Sequence, residues 1–162
     1  MPIFGNPEAS ERTSVFKDAL TIGLSGDVSA NTTQSARVTT GDAWLRSTAI
    51  EKVDFLKIDV EGAEMDGFNG FREAFLGQKI DLVQFEYGAI NLITRVMLAD
   101  FYRFFEEHGF VVGKLYPEGV GFKDYAIPDE DFSRPIYVAC HSSRRDIIEA
   151  IRCPPLTFDT RS

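Results

Sequence analysis

The chain has 162 residues, 44% apolar and 12% aromatic. That suffices for one domain with a buried core, is too short for two domains of ordinary size, and is too apolar for a disordered chain. Seventeen basic against 25 acidic residues give a net charge of −8, which argues against nucleic acid or an anionic membrane surface as partner.

The acidic excess is uneven: residues 1–50 carry a net −1, residues 51–131 a net −9 and residues 132–162 a net +2. A solvated surface is the plain explanation. The two cysteines, Cys140 and Cys153, form no CxxC pair and no disulfide framework, so a reducing, cytoplasmic setting is expected. No 18-residue apolar run is present, and residues 1–14 lack the basic-then-apolar order of a signal peptide.

In chain order, residues 1–36 form a weakly patterned N-terminal segment. Asn6-Pro7 and the polar stretch Ser25–Ser35 read as loops, with a strand expected over Val15–Leu24 between them. Arg37–Thr40 reads as a short strand and Gly41–Ser47 as a helix that Asp42 helps to start. Val53–Asp59 is an apolar run of strand length with little alternation, which suits a parallel strand buried on both faces. Met65, Phe68, Phe71 and Phe75 then recur at helical spacing, predicting one amphipathic helix that ends near Gly77.

Asp81–Glu86 reads as the next strand. A wide apolar stripe from Met97 to His108 predicts a helix closed by Gly109. Phe110–Leu115 and Ile136–Cys140 are two further strands, expected to pair antiparallel because no helix separates them. A Pro- and Gly-containing loop joins them, and Ile147–Ile151 predicts a terminal helix within the tail 142–162. Strands alternating with helices over residues 53–115 indicate an α/β fold built from βαβ units around a parallel sheet.

In open α/β sheets ligands bind beyond the carboxyl ends of the strands. Two strands here end in acid: one runs into Asp59-Val60-Glu61-Gly62-Ala63-Glu64, the other into Glu86-Tyr87-Gly88. As neighbours about 4.8 Å apart, they bring Asp59, Glu61 and Glu86 to one rim. Such a group can orient a hydroxyl, take a proton, hold an ammonium or ligate a hard cation. The plain alternative makes Asp59 an N-cap and Glu61 and Glu64 first-turn acids that favour the helix dipole.

These residues carry a resemblance. VDFLKIDVEGAE (Val53–Glu64) followed by VQFEYG (Val83–Gly88) closely resembles the FkbM-type methyltransferases. VTTGDAWL (Val38–Leu45) is similar to the threonine–aspartate segment that precedes the strand in that family. DFYRFFEEHGFVVGKLYPEGVGF (Asp100–Phe122) is similar to its last helix and strand. The resemblance spans roughly residues 37–141 of a single, partial methyltransferase domain. It implies a Rossmann-like class I fold, a mostly parallel seven-stranded sheet with a final antiparallel strand, and O-methylation of sugars or secondary metabolites with S-adenosylmethionine.

By the same resemblance Asp59 lies beside the reactive methyl and the bound cofactor, while Asp59, Glu61 and Glu86 serve catalysis or acceptor positioning. Tyr87, Asn91 and Arg95 are expected to contact the acceptor. Lys57 reads as half of a structural ion pair. His108 is expected to serve the helix dipole and Cys140 to be core; no partner motif accompanies His141.

No glycine-rich turn follows an early strand, and Gly5, Gly23 and Gly26 lack the strand–turn–helix setting of a cofactor cradle. The sheet is therefore expected to lack its N-terminal cofactor-binding strands and to expose an edge. Residues 1–36, a partner or a second copy are the candidates to cover it. Three readings stay open: an O-methyltransferase, a truncated non-catalytic binding module, and a carboxylate–metal site on Asp59, Glu61 and Glu86.

Overall fold

The structure is a computed structural model that describes residues 1–6, 9–14, 32–133 and 135–153. Near the N-terminus β1 (Pro2–Asn6), β2 (Ala9–Ser14) and β3 (Thr32–Ser35) form an antiparallel sheet of their own in the order β2-β1-β3. The strand expected over Val15–Leu24 lies outside the described residues. Thr32–Ser35, read as loop, is a strand because all four of its residues pair with β1, from Pro2↔Ser35 to Gly5↔Thr32.

Arg37–Thr40 is irregular rather than a strand. Its last residue instead caps α1 (Gly41–Thr48): Thr40 Oγ1 accepts a hydrogen bond from the Ala43 N–H at 3.2 Å. Asp42 lies in the first turn of α1, as expected, and its side chain also works at a distance. The helix expected over residues 65–76 is broken into α2 (Glu64–Asn69) and α3 (Arg72–Leu76). At the break the Gly70 carbonyl accepts from the Asp42 N–H at 2.9 Å, and the Asp42 carboxylate accepts from the Glu73 and Ala74 N–H groups at 2.9 and 3.0 Å. The start of α1 thus supplies the cap of α3, satisfying donors that a helix start leaves open.

The main sheet holds β4 (Val53–Ile58), β5 (Ile80–Glu86), β6 (Phe110–Tyr116), β7 (Gly119–Phe122) and β8 (Ile136–His141) in the order β4-β5-β8-β6-β7. The fold is α/β, with the sheet flanked by α2, α3, α4 (Ile90–Thr94), α5 (Leu98–Glu107) and α6 (Arg145–Ile151). The sheet is not mostly parallel: only β4–β5 is a parallel pair, and the other three neighbours are antiparallel. The reason lies in β8. The chain returns to the carboxyl end of β5, where Ile136 pairs with Glu86, and β8 then descends between β5 and β6. Tyr137, Val138, Ala139 and Cys140 are all buried, a run that suits a central slot.

β7 and α4 were not anticipated. β7 forms because Gly119 takes a φ of 137° at the turn, and because Gly113 lets it approach closely: a Cβ there would lie 2.6 Å from Val120.

Strand alternation divides the sheet into two faces. On one, the row Leu56–Val83–Ala139–Val112 meets the helices. Phe68 of α2 is fully buried there, with the rings of Phe75, Phe85, Phe101, Phe104 and Phe105 centred 5.0–6.2 Å away. On the other, the row Phe55–Leu82–Cys140–Val111 is buried at Cys140 and open at β4, where Phe55 is 51% exposed. The expectation that Val53–Asp59 is buried on both faces is thereby corrected. β4 is an edge strand, and among the described residues no strand pairs with its outer side.

Replacing Asp42 with Ala should cost about 0.5–2 kcal/mol, the range for a lost helix cap. Denaturant unfolding should show a lower midpoint with an unchanged slope, and Asp42→Asn should recover part of the loss.

Candidate active site

The parallel pairing of β4 and β5 builds the site. Lys57 lies opposite Gln84 and Ile58 opposite Phe85, the last pair, so Asp59 and Glu86 are the residues that directly follow it on each strand. Alternation puts Lys57, Asp59, Gln84 and Glu86 on the open face of the sheet. The Lys57 ammonium sits 3.2 Å from the Asp59 carboxylate, the ion pair expected of it, and both side chains are about half exposed, at 54% and 41%. An exposed pair of this kind contributes little to stability, on the order of 0–1 kcal/mol.

Glu61 lies in the turn that follows, in the left-handed region with φ 50°, and Gly62 continues it with φ 103°. The turn wraps around a residue that the helix-dipole argument had explained more simply. Glu64 is only 2% exposed, and its carboxylate accepts from the Val60 N–H at 3.0 Å and the Gly62 N–H at 3.0 and 3.2 Å. Burial pushes its carboxyl above the usual 4.5, the backbone N–H bonds pull it back, and the Asp59 charge adds to the rise. Glu64 therefore acts as the internal post around which Asp59 to Ala63 are folded.

On the β5 side, Tyr87 is fully buried between the rings of Phe101, Phe132 and Tyr137. Its hydroxyl donates to the Glu130 carboxylate, and burial together with that contact holds the phenol above its ordinary range. Asn91 is also buried, its Oδ1 accepting from the Gly88 N–H at 2.9 Å while Nδ2 has no partner. Arg95 is exposed and ends α4 with φ 59°. The structure thus sets Asp59 and Glu86 directly after the last β4–β5 pair and Glu61 in the adjoining turn, buries Tyr87 and Asn91, and leaves Arg95 exposed.

Glu130 was missed by sequence reasoning. It stands in an irregular loop, and no spacing rule connects it with Tyr87, 43 residues earlier. His108 closes α5, with Nδ1 2.7 Å from the Phe104 carbonyl. His141 is buried, with Nδ1 2.7 Å from the Ser143 hydroxyl. Both cysteines are free and buried, and burial pushes the Cys140 thiol up to about 11, which keeps it unreactive. Among the described residues no group of three or more His, Cys, Asp or Glu side chains is placed to hold a metal ion. No described helix is long and apolar enough to cross a membrane.

A sheet with a parallel βαβ unit and acids on its carboxyl rim is the frame of many group-transfer enzymes. The model of the FkbM methyltransferase domain matches residues 3–112, and the chain belongs to that methyltransferase family. The match takes in the N-terminal sheet and ends within β6. No curated protein and no solved structure matches the chain.

Membership implies dependence on S-adenosylmethionine, and the donor set can be tested against that cofactor. Among the described residues no glycine-rich turn links a strand to a helix ahead of β4, where β1–β3 are antiparallel instead. At the rim the N–H groups of Val60 and Gly62 are taken by Glu64 and that of Gly88 by Asn91. The described residues alone do not fit the cofactor.

Because Glu64 holds its proton more tightly folded than unfolded, its contribution to stability grows as pH falls from neutrality through its raised value, and levels off below about 4.5. Glu64→Gln removes that dependence. Its stability relative to the natural chain should be highest at pH 7 and decline toward pH 4.5, as read by denaturant unfolding at both pH values.

Proposed function

We propose that this chain belongs to an S-adenosylmethionine-dependent O-methyltransferase of Rossmann-like class I type, and that its acidic rim receives the hydroxyl of a sugar or secondary metabolite. The observation that supports the reading is the parallel register of β4 against β5, after whose last pair, Ile58↔Phe85, Asp59 and Glu86 follow directly. A hydroxyl attacks a methyl donor well only as it sheds its proton. A carboxylate within hydrogen-bond reach can accept that proton, an effect typically worth about 10²–10⁴ in rate.

Asp59 is the first candidate for this role, an exposed carboxylate 3.2 Å from the Lys57 ammonium. Glu86 at the end of β5 and Glu61 in the turn after β4 are the further candidates, and Arg95 is exposed at the end of α4. The Asn91 side-chain NH2 has no partner, whereas the Tyr87 hydroxyl is committed to Glu130, so of the two Asn91 is the better candidate to contact an acceptor. Free, buried cysteines accord with a reducing, cytoplasmic setting.

One observation favours a second reading, that of a non-catalytic module: the described residues lack a cofactor cradle. The open side of β4 bears on the same question, because a second copy pairing there would cover the edge and bring further residues to the rim.

Calorimetric titration of the full chain with S-adenosylmethionine and S-adenosylhomocysteine separates the readings. The methyltransferase reading expects saturable binding that weakens in Asp59→Ala, and hydroxyl methylation lowered about 10²-fold or more in Asp59→Asn. A cooperatively folded chain that binds neither compound supports the module instead. Sedimentation should show a dimer, and a strictly monomeric folded chain counts against pairing at β4.

A further inference from the structure

The Glu130 carboxylate is saturated by four donors from three parts of the chain. One oxygen accepts the Ala99 N–H at 3.1 Å and the Tyr125 hydroxyl at 3.0 Å; the other accepts the Leu98 N–H at 3.1 Å and the Tyr87 hydroxyl. Two of these donors are the opening N–H groups of α5, which the helix itself cannot satisfy, and the helix dipole favours a negative charge there. A third, Tyr87, directly follows Glu86 at the end of β5.

Glu130 is itself braced from both sides. Asp129 accepts from the Ala126 N–H at 2.9 Å and from Lys123 at 2.6 Å, while Asp131 pairs with Lys114 at 2.9 Å. Three consecutive acids thus have three separate anchors, and the middle one is presented inward.

We infer that Glu130 is a positioning residue for the acceptor rim: by gripping the Tyr87 hydroxyl it fixes the end of β5, and so the direction in which Glu86 leaves the sheet. This rests on the proposed role of Glu86 at the rim. The physical link is strand alternation. Tyr87 is pinned on the helix side, so its neighbour Glu86 is held to the open side, where Asp59 stands. An ionised carboxylate is required, because only it can accept from four donors at once. In Glu130→Gln the amide would turn its own N–H groups toward two of them.

The test uses the full chain by NMR: natural sequence, Glu130→Gln, Tyr87→Phe and the double variant. Tyr87→Phe keeps the ring in its aromatic setting and removes only the hydroxyl. The natural chain should show a slowly exchanging, downfield Tyr87 hydroxyl proton that is lost in every variant. The titration midpoint of the Glu86 carboxyl carbon and the Gly88 amide signal should shift in the same direction in both single variants, with no further shift in the double variant.

A Glu86 titration unchanged in Glu130→Gln, or single shifts that sum in the double variant, would overturn the inference. If Glu130→Gln does not fold, an unchanged Glu86 titration in Tyr87→Phe overturns it alone. None of these signals requires cofactor binding or methyl transfer, so a natural chain that fails to bind S-adenosylmethionine would defeat the proposed function while leaving this test readable.

Discussion

Phe68 joins the helical layer to the sheet, and the geometry of the rim depends on that join. Its ring is enclosed by aromatic side chains from α3, β5 and α5, mostly edge-to-face, the arrangement that ring quadrupoles favour. Truncating a buried Phe of this kind typically costs about 3–5 kcal/mol, a large share of a domain's net stability. Because Phe68 stands one helical turn after Glu64, the packing that fixes α2 also fixes the post around which the β4–α2 turn is wound. The aromatic core and the acidic turn are therefore mechanically continuous.

The acidic residues divide by what they do for the backbone. Asp42 caps α3, Glu64 gathers the turn after β4, Asp100 accepts from the Met97 N–H ahead of α5, and Glu130 closes the start of the same helix. Asp81, 4% exposed, is paired with Lys52 at 2.7 Å and with Arg144, tying the start of β5 to the approach to α6. Within residues 51–131 Glu64 and Asp81 are the buried acids, while most of the other acids there face solvent. Asp59 differs from the acids that serve the backbone: its only described partner is the neighbouring Lys57, and it keeps its carboxylate toward solvent.

The elements legible in the sequence were those governed by local period. β5, β6, β8 and α5 lie within a residue or two of their expected limits, because short apolar runs and a three–four stripe carry their own signal. What escaped was set by contacts distant in sequence. The division of α2 from α3 comes from Asp42, about 30 residues earlier, and among the described residues β4 has a strand on one side only. Asp59 and Glu86 could be placed at one rim from strand ends alone. The grip of Glu130 on Tyr87 could not, since it passes through a loop that follows no period.

The position of β8 bears on how the chain reaches this structure. The last strand in sequence is the middle strand in space, so β5 and β6 have nothing to bond to between them until residues 136–141 have been made. During synthesis the β4–β5 pair and the β6–β7 hairpin can form early, as two half-sheets with unsatisfied inner edges. Joining them requires a strand that pairs over 50 residues back, a long loop closure of the kind that slows folding. Until that step the inner edges of β5 and β6 are the surfaces most open to mispairing with other chains, and chaperone engagement during translation would centre on them.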